Sequence, residues 1–153
     1  MIAIEDLKKQ ILLQGLMEEE YQRLAAKLEY RHYEKEAVLF REGDSPEGIF
    51  LIKKGRVRIS TTLQGQGGNQ RTLVIFKVGN YFGDISTLEK RRHGATATAL
   101  IEIETFLLRF DMLSCQYSGD LLLCCRLLKR LALIAGKNLR QMNVKYLRLE
   151  GSF

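Results

Sequence analysis

The hydrophobic pattern of the chain changes period twice. Between residues 5 and 14, Leu7, Ile11 and Leu12 fall at helical spacing among charged residues, and Gln14-Gly15-Leu16 breaks the pattern. Glu18, Glu19 and Glu20 then open a second helix, where the helix dipole favours acids. It runs to about residue 28, with Tyr21, Leu24, Ala25 and Leu28 on its apolar face. Both read as packing helices, and the three glutamates as a solvated helix start.

From about Tyr30 the period becomes two. Tyr30, His32 and Tyr33 lead into Ala37-Val38-Leu39-Phe40, and residues 41–48 carry turn chemistry with Gly43, Gly48 and the only proline, Pro46. Ile49-Phe50-Leu51-Ile52 is a short apolar run, turned by Lys53-Lys54-Gly55. Over 56–63, Val57, Ile59, Thr61 and Leu63 share one face of a strand. The glycine-rich stretch 64–70 is followed by a strand at 71–77, not by a helix. It therefore reads as a hairpin loop, not a phosphate cradle. Many short strands separated by glycine turns predict an antiparallel barrel or roll.

The last strand is expected over 100–109 and a helical corner at 110–113. Ser118-Gly119-Asp120 then precedes a long helix. In it, Leu121, Cys125, Leu128, Ala132, Ala135, Leu139, Met142, Tyr146 and Leu149 are spaced alternately four and three, a heptad seam about 43 Å long. A second stripe, Cys124, Leu127, Leu131 and Ile134, accompanies only the first half, and Lys137, Arg140, Lys145 and Arg148 occupy other faces beyond Gly136. Two apolar sides and then one imply two partners. The roll covers the first half, and a second copy of the helix, in a parallel homodimer, covers the seam from Leu128 to Leu149. The plainer alternative is a seam that is all intramolecular core.

Composition narrows the function classes. With 153 residues the expectation is a single domain over 1–153: N-terminal helices over 1–29, a β-roll over 30–110, and C-terminal helices over 111–150. The apolar runs are too short to span a membrane, and Glu5 and Asp6 so near the start argue against a secretory signal. The three cysteines have no metal-ligand spacing. Cys124 and Cys125 read as core thiols in a reducing cytoplasm, and Cys115 has no evident partner. A net charge of +6 favours an anionic ligand, nucleic acid or an acidic partner. The basic residues are dispersed except at Lys90-Arg91-Arg92, and no helix-turn-helix segment is recognisable, so nucleic-acid binding by this chain itself is not expected. His32 and His93 lie far apart, and no nucleophile–base arrangement points to an enzyme.

The densest chemistry lies at 81–99. Tyr81-Phe82-Gly83-Asp84-Ile85-Ser86-Thr87-Leu88 runs an aromatic pair into a glycine and one short helical turn. A cationic loop follows, and then the small-residue strand Ala95-Thr96-Ala97-Thr98-Ala99. Gly83 admits close backbone approach, the first turn offers free N–H groups, and basic side chains stand opposite. This suits an oxyanion.

The stretch resembles the phosphate-binding cassette of the cyclic nucleotide-binding domain family, roughly Phe-Gly-Glu-Leu-(Ala/Ser)-Leu, a loop, then Arg-(Ser/Thr)-Ala. Glu42-Gly43-Asp44, Ile49-Phe50-Leu51-Ile52 and Gly55-Arg56-Val57 match the family's turn-and-strand pattern, so the resemblance covers roughly residues 16–135. It implies an α+β, mainly β fold. This is an antiparallel eight-stranded β-roll, a double-stranded jelly roll, with N-terminal helices and a long C-terminal helix, as in the sensor domain of catabolite activator-type regulators.

The resemblance also implies a ligand, cyclic AMP or cyclic GMP, with no further cofactor and no metal. The implied contacts are Phe82, Gly83, the amides of Asp84, Ile85 and Ser86, and the loop residues Arg91, Arg92, His93, Gly94 and Ala95. In the family the acidic residue accepts from the ribose 2′-hydroxyl and the arginine pairs with the cyclic phosphate. Here Asp84 is one methylene shorter than glutamate, and it is equally a good helix N-cap. His93 stands where the arginine belongs and Gly94 where serine or threonine belongs. Arg91 or Arg92 is then the substitute cation, unless both are solvated loop residues.

Three functions follow. The first is a stand-alone cytoplasmic regulatory module in which an anionic ligand at the cassette repositions the C-terminal helix and so the surface for a protein partner. The second is a ligand-free dimeric interaction scaffold, with the pocket filled by its own side chains. The third is the sensor half of a transcription regulator without its helix-turn-helix.

Overall fold

A computed structural model describes residues 1–63 and 68–151. Most of the predicted hairpin loop, 64–67, and the last two residues lie outside the described residues. In chain order the elements are α1 (Ile4–Lys8), a 3-10 turn (Ile11–Leu13), α2 (Glu18–Lys27) and β1 (Glu29–Tyr33). Then come β2 (Val38–Phe40), β3 (Gly48–Lys54), β4 (Val57–Thr62), β5 (Gln70–Phe76) and β6 (Tyr81–Phe82). The chain ends with α3 (Asp84–Glu89), β7 (Thr96–Ala99), β8 (Ile103–Arg109), a second 3-10 turn (Phe110–Leu113) and α4 (Leu121–Leu149).

The strands form two four-stranded antiparallel sheets, ordered β1-β8-β3-β6 and β2-β7-β4-β5. This is the eight-stranded roll with flanking helices that the sequence implied. Strand β3 of the first sheet is buried on both faces, which is why it reads as an unbroken apolar run and not an alternation. Ile49 and Leu51 of β3, with Phe106 and Leu108 of β8, face the helical layer of Leu7, Leu12, Leu13, Leu24, Leu123 and Leu127. Phe50, Ile52, Ile103 and Leu107 face inward, against Phe40, Val57, Phe82, Ala97 and Ala99. Gly48 opens β3 so close to the Leu108 carbonyl that no side chain fits there.

Four local expectations change. The single helical pattern over 5–14 divides into α1 and a 3-10 turn, and the last strand begins at Ile103 because the chain crosses between the two sheets after Ala99. In β4 a register shift between Ile59 and Ser60 moves the inward side of the strand by one residue, so Ser60 is buried where alternation placed Thr61. Glu20 is not solvated. It is 1% exposed, accepts the Met17 N–H at 2.9 Å and pairs with Arg126 of α4 at 3.2 Å.

α4 is capped by Asp120, whose carboxylate accepts the Leu123 N–H and pairs with Arg23 of α2 at 2.6 Å. Arg130 donates to the Ile11 carbonyl at 2.7 Å. Cys124, Leu127 and Leu131 are buried against the body and Ile134 half-buried, as the second stripe required. The seam faces the other way. Leu128 is half-buried, while Ala132, Ala135, Leu139, Met142, Tyr146 and Leu149 are exposed, Leu149 at 85%. An all-intramolecular seam is thereby excluded. No helix is long and apolar enough to cross a membrane among the described residues.

Candidate functional site

The cassette is positioned by β6, which pairs with β3 and buries Phe82 in the inner core, where its ring stacks on Phe50 with centroids 5.3 Å apart. The chain then turns through Gly83, whose φ of 82° is left-handed backbone that favours glycine, into α3. A side chain at Gly83 would meet the Gly48 carbonyl at 3.2 Å, so close backbone approach is used here internally. Thr87 ties the turn by donating its hydroxyl to the Gly83 carbonyl at 2.7 Å.

Asp84 is half-buried and, among the described residues, its carboxylate has no side-chain hydrogen-bond partner. Burial raises its pKa, offset by the backbone N–H groups of Asp84 itself and Ile85. The carboxylate therefore lies against the start of its own helix, and free acceptor capacity remains. Ile85 is exposed, and Ser86 is half-buried, its carbonyl accepting the Arg91 N–H at 3.0 Å. Next to the cassette, Tyr81 is pushed up to about 12 by burial and by the Asp84 carboxylate, with Arg130 of α4 acting in the opposite sense.

On the loop side both candidate cations have partners of their own. Arg91 pairs with Glu89 at 3.1 Å with its side chain 79% exposed, and Arg92 donates to the Gly43 carbonyl at 2.9 Å. Arg91 is held at the far end of α3 and Arg92 on the 41–48 turn, each by an acceptor in solvent-facing chain. Gly94 is exposed with open space around its Cα, and Ala95 is half-buried.

His93 is the residue that faces the cassette. It is 4% exposed, its ring stacks on Phe40 with centroids 3.6 Å apart and 9° between planes, and its Cε1 lies 3.7 Å from where a Gly83 side chain would begin. Burial depresses its pKa, outweighing the carboxylates of Asp44 and Glu47 that pull it upward. It is therefore a neutral, stacked ring at neutral pH, not a cation. Its backbone is clasped to the 41–48 turn, donating to the Asp44 carbonyl and accepting from the Gly43 N–H, both at 2.8 Å.

Sequence reasoning missed Phe40, Asp44, Glu47 and Arg31 as parts of this site. Arg31 grips Glu47 with two hydrogen bonds of 3.0 and 2.7 Å, which raises the guanidinium pKa and lowers that of Glu47. The half-buried Arg31 is thus already paired with a carboxylate. Only the Glu42-Gly43-Asp44 turn signal hinted at this clasp.

Elsewhere, the structure brings His32, Glu34 and Glu102 together, His32 Nε2 lying 3.0 Å from Glu102. All three are exposed, and none had been grouped from sequence spacing. Cys125 and Cys115 are exposed, so only Cys124 is a core thiol.

A roll of two antiparallel sheets, flanked by helices and bearing a glycine-led helical turn opposite a clasped loop, defines a regulatory β-roll of the sensor type. Residues 30–114 match the family model described as the cyclic nucleotide-binding domain. The cyclic AMP receptor protein of Thermus thermophilus is 31% identical over 109 residues, which cover 71% of this chain and 50% of that protein. The cAMP-dependent protein kinase regulatory subunit of Eremothecium gossypii is 33% identical over 98 residues, 64% of this chain and 20% of that protein. The crystal structure of the Thermus thermophilus catabolite activator protein superimposes with a TM-score of 0.75 at 26% identity, over 92% of this chain and 63% of that one. A cyclic nucleotide-binding domain from Methylobacillus flagellatus gives 0.78 at 21% identity, over 95% of this chain and 80% of that one, a likeness of fold. The chain belongs to the cyclic nucleotide-binding domain family. It spans half the length of its Thermus relative and a fifth of the kinase subunit.

Proposed function

We propose that this chain is a regulatory module in which a cyclic nucleotide-type anion, cyclic AMP or cyclic GMP, binds at the cassette and shifts α4 within a parallel homodimer. The observation that carries this reading is Asp84, a half-buried acid on a glycine-led helical turn whose carboxylate has no side-chain partner among the described residues. A carboxylate so placed is an acceptor for a ligand hydroxyl, the role that the family's acidic residue has toward the ribose. The amide of Ser86, joined by those of Asp84 and Ile85 once the Asp84 carboxylate turns from them to the ligand hydroxyl, supplies the phosphate side. Without an arginine, affinity rests on those backbone donors and is weaker than in family members that have one.

The link to α4 is Tyr81, whose hydroxyl feels both Asp84 and Arg130 of the helix. The exposed seam from Ala132 to Leu149 supports self-association, because pairing with a second copy would cover so continuous an apolar stripe. The test is a thermal-shift screen against cyclic AMP, cyclic GMP and related phosphates. A saturable shift that disappears in Asp84→Ala is expected, and no shift with any of them contradicts the reading.

One observation favours a second reading, the ligand-free dimeric scaffold: the neutral His93 ring, stacked on Phe40 over Gly83, fills space beside the cassette. That reading predicts a stable dimer that no nucleotide alters.

A further inference from the structure

The segment joining the roll to α4 holds two sulfurs in contact. Cys115 Sγ and Cys124 Sγ are 3.9 Å apart, one thiol donating to the other. Cys115 is exposed and Cys124 fully buried in the first turn of α4. The turn that carries Cys115 is held on both sides. Ser114 donates its N–H to the Asp111 carbonyl at 3.1 Å, and Ser118 donates its N–H to the Ser114 carbonyl at 2.9 Å. Asp120 then caps α4 and is anchored to Arg23. The two thiols are therefore held together by the backbone on either side, and not by a passing side-chain encounter.

We propose that Cys115 and Cys124 are an oxidation site that closes an intramolecular disulfide across the joint between roll and helix, with a peroxide as the oxidant. The exposed Cys115 reacts first, as thiolate. Its sulfur attacks one peroxide oxygen, the O–O bond breaks and hydroxide leaves, giving a sulfenic acid. The Cys124 sulfur then attacks Cys115, the S–O bond breaks, and the departing hydroxide takes the Cys124 proton to leave as water. Two thiols lose two protons and two electrons, and one peroxide becomes two waters.

The division of roles follows from burial, which keeps water and oxidant from Cys124 and raises its pKa to about 11. The bridge ties the start of α4 to the turn after β8 and so adds a second covalent link between helix and roll. Cys125, exposed on the outer side of α4, takes no part. The inference stands apart from any ligand at the cassette.

The test uses the full chain treated with hydrogen peroxide, then denatured without reductant for thiol titration and intact-mass measurement. The expected result is one titratable thiol out of the three present, a mass lower by two hydrogens, and a cleavage fragment joining Cys115 to Cys124. Cys125→Ser is expected to form the same bridge, leaving none titratable, and Cys115→Ser to lose it. The melting temperature of the bridged chain is expected to rise and to return on adding a dithiol reductant. A reducible covalent dimer through Cys125, or oxygen added at Cys115 with no bridge in the Cys125→Ser chain, overturns the proposal.

Discussion

His93 lies flat on Phe40, ring centroids 3.6 Å apart, at the position that the sequence resemblance matches to the family's phosphate-binding arginine. The stack sets a neutral surface beside the cassette, so any ligand proposed there competes with the chain's own packing. His93→Arg restores a charge-assisted partner, and such bonds contribute about 1.5–3 kcal/mol. Cyclic AMP affinity measured by calorimetry is expected to increase by about tenfold or more. Because the Phe40 contact is lost, the melting temperature of the unliganded variant is expected to fall.

The same ring gives a pH signature. Burial holds the folded His93 pKa below its unfolded value, so above about pH 6.5 neither state is protonated and the contribution is fully present. As pH falls through that value the unfolded chain takes up the proton first, and stability is lost. Melting temperature is therefore expected to drop between about pH 7 and pH 5, and His93→Phe, which keeps a stacking ring, is expected to flatten that drop. The raised carboxyl of Asp84 acts with the opposite sign, at lower pH, where protonation favours the folded state. An unchanged slope in His93→Phe would show that other groups set the dependence.

Much of this was legible beforehand, and the misses have local causes. The period change near Tyr30, the glycine turns and the Phe82-Gly83-Asp84 run were enough for the roll and the cassette, because the backbone requirements there restrict residue type. His93 was readable as a residue of the loop beside the cassette. Its stacking on Phe40 was not, since the two are 53 residues apart and nothing in either local pattern marks the contact. The partners of Arg91 and Arg92 were hidden for a related reason. A sequence shows that a cation is near, but not which carbonyl or carboxylate it will reach first. Glu20 illustrates the same limit, since a helix-start glutamate looks solvated until α4 closes over it.

That burial has its own consequence. Arg126→Ala leaves the Glu20 carboxylate buried with only the Met17 amide to satisfy it. A loss of about 1–3 kcal/mol is expected in chemical denaturation. Glu20→Gln combined with Arg126→Ala, which removes the stranded charge, is expected to recover part of it. Equal losses in both chains would mean that the pair contributes nothing beyond packing.

The outer seam of α4 sets the oligomeric prediction. Leu139 and Met142 are 58% and 65% exposed, so Leu139→Asp or Met142→Asp costs the isolated fold within about 0.5 kcal/mol. In sedimentation experiments the unaltered chain is expected to run as a dimer and either variant as a monomer with an unchanged circular dichroism spectrum. A monomeric unaltered chain would remove the homodimer from the account.

The central claim is that the cassette retains a ligand site built on Asp84 although its arginine is gone. Calorimetric titration of cyclic AMP and cyclic GMP into the full chain, beside Asp84→Ala, tests it most directly. The account predicts saturable binding of at least one nucleotide, with an affinity lower than an arginine-bearing cassette gives and lost in Asp84→Ala. Absence of heat with both nucleotides at millimolar concentration, in a chain shown to be folded, would contradict it and leave the roll as a scaffold closed by His93 and Phe40.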